Sequence, residues 1–374
     1  MLLIVLFVGA LFLAYANGAN DNFKGVATLY GSGTLSYWGS LSWATVTTFA
    51  GSVAAIFLAR TLLERFTGSG LVPEALVADP TFLLAVAIGA SATVMIATFT
   101  GFPISTTHAI VGALTGGGLA AAGNAVNFGF LGSVFFLPLL VSPLLAALLG
   151  GLFYFTFHHT RRWMNLSRTS CVCAVPEQIP ALPNHHSYQT NENKRKIFTG
   201  DHHTCSEHYL GEVVPGVSLE RSVNAMHLLS SGAVSFARGL NDTPKIAALL
   251  LVIPVFTIEW GMIVLAAGMA AGGLLHARKI AQTMSHRITY IRPGPGLTTN
   301  LATSFLVIIA SNLGMPVSTT HVSVGALFGL GTINNDVRPK TYTSIISSWI
   351  VTLPMAGVIA ALVVWGWNWI GIIS

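Results

Sequence analysis

Long apolar runs alternate with short polar stretches along most of the chain. Apolar residues fill positions 2 to 16, 38 to 60, 81 to 101, 128 to 157 and 342 to 372, and further runs lie between 224 and 312. A helix needs about 20 apolar residues to cross the hydrocarbon core of a bilayer. The pattern predicts an all-α polytopic membrane protein with roughly 10 to 12 membrane segments.

Polar residues interrupt the first apolar run at about membrane depth. Residues 2 to 16 are too few to span as a helix, and Asn17, Asn20, Asp21 and Lys24 follow them directly. We therefore expect a broken helix that resumes at residues 26 to 33. The run lacks a basic leader and a cleavage site of small residues, so we interpret it as a first spanning segment rather than a signal peptide.

Composition supports membrane placement. The 374 residues are 53% hydrophobic and only 8% charged, and the mean hydropathy is +0.69. Soluble domains carry about 25% charged residues, so that class is excluded. The net charge of +5 is modest and forms no basic stripe, which argues against nucleic-acid binding. We expect a multi-pass protein of the cell membrane, either plasma or inner.

A polar stretch divides the chain. Residues 158 to 221 contain 7 Lys/Arg, 6 Asp/Glu, 7 His and all three Cys. We predict membrane repeats at 1–157 and 222–374 and an extramembrane linker at 158–221, on the cytoplasmic side because it is basic. The linker is rich in Cys and His, the usual zinc ligands, but their spacing matches no known zinc module. We therefore favour a disordered linker. The candidate metal ligands are Cys171, Cys173, His185, His186, His202, His203, Cys205 and His208.

Two motifs occur twice in the same order. Pro-Ile-Ser-Thr-Thr-His at 103 to 108 returns as Pro-Val-Ser-Thr-Thr-His at 316 to 321. Gly-Ala-Asn-Asp at 18 to 21 matches Gly-Leu-Asn-Asp at 239 to 242, and a lysine follows each aspartate by three residues. The chain is therefore interpreted as two homologous halves, with the chemistry where the repeated motifs meet.

Loop charges predict that the halves are inverted. The loop at 60–79 has 2 basic and 3 acidic residues, whereas its counterpart at 278–292 has 4 basic and none acidic. The positive-inside rule places these loops on opposite faces of the membrane. Inverted repeats with broken helices are common in secondary transporters. The apolar segment from Pro103 to about Gly123 is short enough to be a re-entrant helix.

The Ser-Thr-Thr motifs predict an anion site. A helix start inside the membrane offers free N–H groups, hydroxyl donors and the positive end of the helix dipole, which together bind oxyanions. Two such starts could hold a tetrahedral anion such as phosphate or sulfate from opposite sides. The alternative is that these side chains only cap their helices. The candidate ligands are Ser105, Thr106, Thr107, Ser318, Thr319 and Thr320.

The repeated aspartates need a positive partner, because an ionised carboxylate is costly inside a membrane. One interpretation pairs Asp21 with Lys24, and Asp242 with Lys245, at helical spacing. The other is a coupling site for Na⁺ or H⁺, formed by these carboxylates with Asn20, Asn241 and backbone carbonyls freed by the break.

Three further residues are candidates of lower weight. His108 and His321 follow the repeated serines by one turn, and could pack, orient a hydroxyl or titrate during transport. We favour packing or orientation. Glu259 precedes Trp260 at the edge of a span, where it could be a proton site or an ordinary interfacial acid.

Together, the Asn-Asp and Pro-x-Ser-Thr-Thr-His pairs resemble those of the inorganic phosphate transporter (PiT) family. The resemblance covers both apolar halves. It implies inverted repeats and a homodimer that transports phosphate by alternating access, coupled to Na⁺ or H⁺ and without a cofactor. It also implies phosphate at the helix starts and cations near the Asn-Asp pairs.

This chain departs from the family pattern near both motifs. Asn22-Phe23-Lys24-Gly25 stands where the family typically has small residues, and Arg238 stands where histidine is common. Thr243 and Pro244 follow the second aspartate. The lysine and the arginine bring positive charge to the two motifs.

Other functions carry less weight. A sulfate transporter of the same fold is the nearest alternative, because sulfate has the same shape as phosphate and differs chiefly in protonation. An intramembrane hydrolase could use Ser105, His108 and Asp21 as a triad. Such an enzyme needs only one site and gives no reason for the duplication, so we predict no enzymatic activity. A passive channel is the third alternative.

Overall fold

In the computed structural model, the described residues are 1–166, 170–180, 188–201, 217–253 and 257–370. Their contacts divide the chain into two units. Met1–Tyr154 and Leu228–Ser374 form the larger unit, and Phe155–His227 forms the smaller one. The larger unit therefore contains most of both predicted repeats.

The first half begins with the predicted broken helix. Helix α1 (Leu2–Asp21) ends at the aspartate, a 3₁₀ segment covers Asn22–Val26, and α2 (Ala27–Gly31) follows. The remaining helices of this half are α3 (Tyr37–Leu58), α4 (Arg60–Arg65), α5 (Glu74–Val77), α6 (Pro80–Thr100), α7 (Thr106–Ala122), α8 (Phe128–Phe130) and α9 (Leu137–Trp163), with a 3₁₀ turn at Gly123–Ala125. A π-helical segment, Leu131–Phe136, joins α8 to α9 just before Pro138. Proline has no N–H to donate, and a π segment accommodates the resulting gap.

The second half follows the same order. Its helices are α10 (Leu219–Ala247), α11 (Ile258–His276), α12 (Arg278–Gln282), α13 (Pro293–Asn312), α14 (Thr319–Ile333) and α15 (Pro339–Trp369), with a 3₁₀ turn at Ala248–Leu250 and a π segment at Thr283–Arg287. From the repeat, a second helix break was expected at Asn241 and Asp242, matching the break after Asp21. This expectation is wrong, because α10 continues past both residues. Gly25 weakens the helix in the first half, whereas Ile246 occupies the equivalent position here.

Six helical segments in the described part of the chain are long and apolar enough to cross a membrane. They are Leu2–Gly31, Tyr37–Leu58, Pro80–Thr100, Phe128–Trp163, Ile258–His276 and Pro339–Trp369. Helices α7, α10, α13 and α14 are shorter or more polar, and they carry many of the polar residues described below. The membrane unit is thus an all-α polytopic fold.

The two halves exchange equivalent contacts. Helix α1 packs on α11, and the equivalent α10 packs on α3, with glycines at both crossings. A Cβ at Gly272 would overlap the Tyr15 carbonyl, and a Cβ at Gly51 would overlap the Phe236 carbonyl. Likewise α7 packs on α15, while α14 packs on α9. A pseudo-twofold axis produces such an exchange, and it brings α7 and α14 to the centre.

The smaller unit contains an antiparallel sheet with strand order β2-β1-β3. The strands are β1 (Ser170–Pro180), β2 (Tyr188–Asp201) and β3 (Val217–Ser218), and the β1–β2 register shifts between Pro176 and Glu177. The prediction of a disordered linker is therefore wrong for these strands. Both long strands are rich in β-branched or aromatic residues, such as Val172 and Val175 in β1 and Ile197 and Phe198 in β2.

Candidate functional site

The repeated motifs form two matching helix starts. Ser105 caps α7 by accepting a hydrogen bond from the His108 N–H at 3.2 Å, and Ser318 caps α14 in the same way from His321 at 3.3 Å. The oxygen of each serine hydroxyl thus accepts a hydrogen bond from the first turn of its own helix, as the capping alternative predicted. The threonines that follow are the first residues of each helix.

The Lys24 ammonium lies among oxygen atoms from both halves. It donates to Asn20 Oδ1 at 2.9 Å, to the Ile104 carbonyl at 2.6 Å and to Thr320 Oγ1 at 2.6 Å. It also forms an ion pair with Asp21 Oδ1. The lysine is 4% exposed. It therefore links the break after α1 to both helix starts.

Lys245 makes the equivalent contacts with the halves exchanged. Its ammonium donates to Thr107 Oγ1 at 2.8 Å and to the Val317 carbonyl at 2.6 Å, and it lies 3.7 Å from Asp242 Oδ1. The Phe66 ring centroid lies 5.3 Å away. Each lysine thus contacts a carbonyl of its own half and a threonine of the other half.

Asn17 connects the two aspartates. Its amide donates to Asp21 Oδ2 at 2.9 Å, to Asp242 Oδ2 at 3.2 Å and to Thr106 Oγ1 at 3.0 Å. The Thr106 hydroxyl in turn donates to Asp21 Oδ2 at 3.1 Å. Both carboxylates consequently belong to one buried hydrogen-bond network.

Arg238 adds a third cation to this network. Its guanidinium donates to Asn17 Oδ1 at 2.7 Å and to Asn22 Oδ1 at 2.9 Å, and its Nε lies 3.7 Å from Asp242 Oδ2. The charged cluster therefore consists of three positive and two negative groups: Lys24, Arg238, Lys245, Asp21 and Asp242. All five are buried, and as formally charged groups they leave one net positive charge.

The two repeated asparagines connect the charged cluster to neighbouring helices. The Asn20 amide donates to Thr98 Oγ1 at 3.0 Å and to the Phe102 carbonyl at 3.1 Å. Asn241 accepts from the Ser311 hydroxyl at 3.1 Å, and its amide donates to Asp242 Oδ1 at 3.0 Å. These contacts join the cluster to the ends of α6 and α13.

The histidines pack beside the helix starts. The His108 and His321 ring centroids are 4.4 Å apart, and the His321 ring lies 3.8 Å from the ring of Trp349. The Trp349 indole donates to the Pro103 carbonyl at 3.2 Å. Glu259 lies apart in sequence, as the second residue of α11 and only partly buried.

Ser105, His108 and Asp21 do not form the triad that the hydrolase alternative requires. Ser105 accepts from a backbone N–H, and Asp21 is engaged by Lys24, Asn17 and Thr106. His108 Nδ1 has no hydrogen-bond partner among the described residues. The arrangement can hold an anion and its countercharges, but it offers no activated nucleophile.

Among the described residues, no group of three or more His, Cys, Asp or Glu could hold a metal ion. Of the linker ligands considered, Cys171 and Cys173 lie in β1. The histidines at 185, 186, 202, 203 and 208, together with Cys205, lie outside the described residues.

A small cavity lies beside Lys24, and six of its nine lining residues are polar. It is lined by Lys24, Ala27, Thr28, Val234, Thr299, Asn300, Thr303, Ser323 and Leu327. The positions of α6 and α7 equivalent to Thr299, Asn300, Thr303 and Ser323 are held by Val86, Ala87, Ala90 and Ile110, all buried. The halves therefore share an Asp–Lys pair each but differ in the residues around this cavity.

The sequence interpretation gave too little weight to Asn17 and Arg238. They are equivalent positions, because the offset that relates Asp21 to Asp242 also relates Asn17 to Arg238. Extending the repeat alignment one turn before each aspartate would have identified both residues.

Comparisons with known proteins agree with this architecture. A profile of the phosphate transporter family matches residues 17–360. A Pyrococcus abyssi protein named as a phosphate permease is 29% identical over 405 residues, which cover 97% of this chain and 96% of that protein. Inorganic phosphate transporter 2-1, chloroplastic, of Arabidopsis thaliana is 26% identical, with 95% of this chain and 70% of that protein covered.

A solved structure has the same fold. It is described as the sodium-dependent phosphate transporter, and it matches with a TM-score of 0.75 at 22% identity over 99% of both chains. The family profile covers most of the chain, including both pairs of repeated motifs. The chain therefore belongs to the phosphate transporter family.

Proposed function

We propose that this protein carries inorganic phosphate across a membrane by alternating access, driven by a gradient of Na⁺ or H⁺. The anion is held between the starts of α7 and α14, and the buried acids and bases of the charged cluster compensate its charge. The observation that carries this proposal is the exchanged contact of Lys24 with Thr320 and of Lys245 with Thr107. It joins both helix starts to the charged cluster.

The charge of the cluster supports phosphate over sulfate. One net positive charge matches a monoanion, and inorganic phosphate is present partly as a monoanion near neutral pH, whereas sulfate remains a dianion. The carboxylates of Asp21 and Asp242 can accept a hydrogen bond from a protonated phosphate, but sulfate has no proton to donate.

Uptake of radiolabelled phosphate into proteoliposomes tests the proposal. Gradients of Na⁺ and H⁺ are imposed separately, and unlabelled sulfate is added as a competitor. Accumulation driven by one gradient and little affected by sulfate is expected. Accumulation of labelled sulfate without phosphate would keep the fold but change the substrate, and equilibration without accumulation would indicate a passive channel.

Replacing Thr319 with valine is expected to weaken phosphate binding about tenfold, because a hydroxyl bond to a charged group contributes roughly 1.5 kcal/mol or more. The Thr319 hydroxyl makes no hydrogen bond to the described residues, so it is available to the anion, whereas Thr106 is already engaged by Asp21 and Asn17. The half-saturating phosphate concentration for uptake measures the effect. Thr106→Val is expected to impair uptake as well.

Thr115→Val is the matched control for these variants. Thr115 lies in α7, is buried, and donates only to the Val111 carbonyl of its own helix at 2.8 Å. Its replacement should leave phosphate affinity unchanged. Unchanged affinity in both Thr106→Val and Thr319→Val would contradict the placement of the anion at the helix starts.

The proposal extends to the membrane in which the protein lies and to its oligomeric state. The long apolar helices support a multi-pass membrane protein, and we propose that its membrane is the plasma or inner membrane. The homodimer is proposed from the family resemblance alone. Mass measurement of the detergent-solubilised protein by light scattering tests it, and a monomeric mass would contradict it.

A further inference from the structure

The surroundings of Lys24 have the character of a cation-binding shell. Its ammonium contacts an amide oxygen, a carboxylate oxygen, a backbone carbonyl and a hydroxyl, and all four are oxygen acceptors. Carbonyls freed at a broken membrane helix and nearby side-chain oxygens are the ligands such helices offer to Na⁺. In this protein a covalently attached ammonium occupies that position.

The second half repeats this arrangement. The Lys245 ammonium contacts the Val317 carbonyl and the Thr107 hydroxyl, and it pairs with Asp242. The lysines are therefore a symmetric pair, one for each helix start. Lys24 also lies in the segment where this chain departs from the family pattern.

We propose that Lys24 and Lys245 are tethered cations that occupy the positions a free Na⁺ would take, so that phosphate transport by this protein requires no Na⁺. The inference rests on the proposed function. A lysine ammonium and a bound Na⁺ carry the same charge and attract the same oxygen atoms. Both cannot occupy one shell, because like charges at such distances repel strongly in a buried site.

A tethered cation changes what can drive uptake. Because each lysine remains attached to the chain, it balances charge at the site without crossing the membrane as a free ion. The remaining driving ion is the proton, which phosphate itself can carry: HPO₄²⁻ takes up one proton to give H₂PO₄⁻, the monoanion that matches the cluster's net charge. The rate of phosphate uptake should therefore depend on a pH gradient and be independent of a Na⁺ gradient.

The test compares NaCl with choline chloride at equal ionic strength. In proteoliposomes of the unaltered protein with an imposed pH gradient, the initial rate of phosphate uptake is expected to be the same in both media. The melting temperature of the purified protein is measured in the same two salts. A cation that binds the folded state raises this temperature, so no difference is expected.

The same measurements are then made on the variants Lys24→Asn and Lys245→Asn, singly and combined. Asparagine removes the ammonium and leaves a neutral oxygen ligand beside the emptied shell. NaCl, but not choline chloride, is expected to stabilise these variants against heat. If they still transport, their uptake should become faster in Na⁺ by about tenfold, the change expected from a modest binding energy. Lys340→Asn, which alters an exposed lysine at the start of α15, is the matched control.

The outcomes separate the two proposals. Phosphate uptake by the unaltered protein that requires Na⁺, or a higher melting temperature in NaCl, would overturn the tethered-cation inference and leave phosphate transport standing. Absence of phosphate uptake in every medium would overturn the proposed function. The melting measurements would still decide the role of the lysines in that case, because they need no transport and the unaltered protein suffices if a variant fails to fold.

Discussion

Replacing Asp21 with asparagine is expected to reduce phosphate uptake by two orders of magnitude or more. The substitution keeps the shape of the side chain but removes the charge that pairs with Lys24. Without this charge the Lys24 ammonium shifts away from the helix starts, and a misplacement of about 1 Å in such a site can cost about 10²-fold in rate. The initial rate of radiolabelled phosphate uptake measures the loss.

The net charge of the site explains why Asp21→Asn should reduce the transport rate more than it reduces the yield of folded protein. Without the Asp21 carboxylate the cluster carries one more positive charge, so the anion is held too tightly or the lysine is displaced from its shell. The variant should elute from size exclusion as the unaltered protein does. Glu74→Gln, which neutralises an exposed carboxylate, serves as the control. Full accumulation by Asp21→Asn and Asp242→Asn would exclude a role for these acids in coupling.

Valine at Gly112 or Gly325 is expected to prevent recovery of folded protein. A Cβ at Gly112 would overlap the Leu353 carbonyl, and a Cβ at Gly325 would overlap the Pro143 carbonyl. Both obstacles are backbone atoms of a neighbouring helix, which cannot move aside as a flexible side chain does. Overpacking of this kind costs about 3 kcal/mol or more, a large part of a typical folding free energy. The yield of monodisperse protein after detergent extraction measures the effect.

Gly132→Val is the matched control. This glycine lies in the π segment before α9, and a Cβ there would meet no atom within 4 Å. Normal yield is expected for this variant. Recovery of stable, active Gly112→Val protein would show that α7 and α15 can separate, and that their close crossing is not needed to position the helix start.

The fold could be predicted largely from hydropathy and the internal repeat. The apolar runs predict the helices, and the two motifs that recur in the same order predict the duplication. Both signals can be read from local sequence. The ion pairs of Lys24 and Lys245 with their aspartates were also within reach, since they follow from helical spacing. The capping serines follow from the motif itself.

The cross-half contacts could not be predicted in this way. Lys24 reaches Thr320 only because the second half folds back against the first, and no local pattern records that distance. The strand pairing of β1 with β2 was missed for the same reason, because hydropathy shows only that no membrane span lies there. The absence of a break at Asn241 and Asp242 was also missed, because the repeated motif is alike in both halves and only the residues around it differ.

The unequal surroundings of the cavity beside Lys24 bear on the history of the duplication. The Asn-Asp and Ser-Thr-Thr motifs are alike in the two halves, whereas the equivalent positions Asn17 and Arg238 differ. Thr303 lines this cavity together with Lys24 and Thr28 of the first half, whereas its equivalent, Ala90, belongs to the hydrophobic core. The two copies are therefore no longer interchangeable, because the polar side chains beside Lys24 have apolar equivalents in the first half.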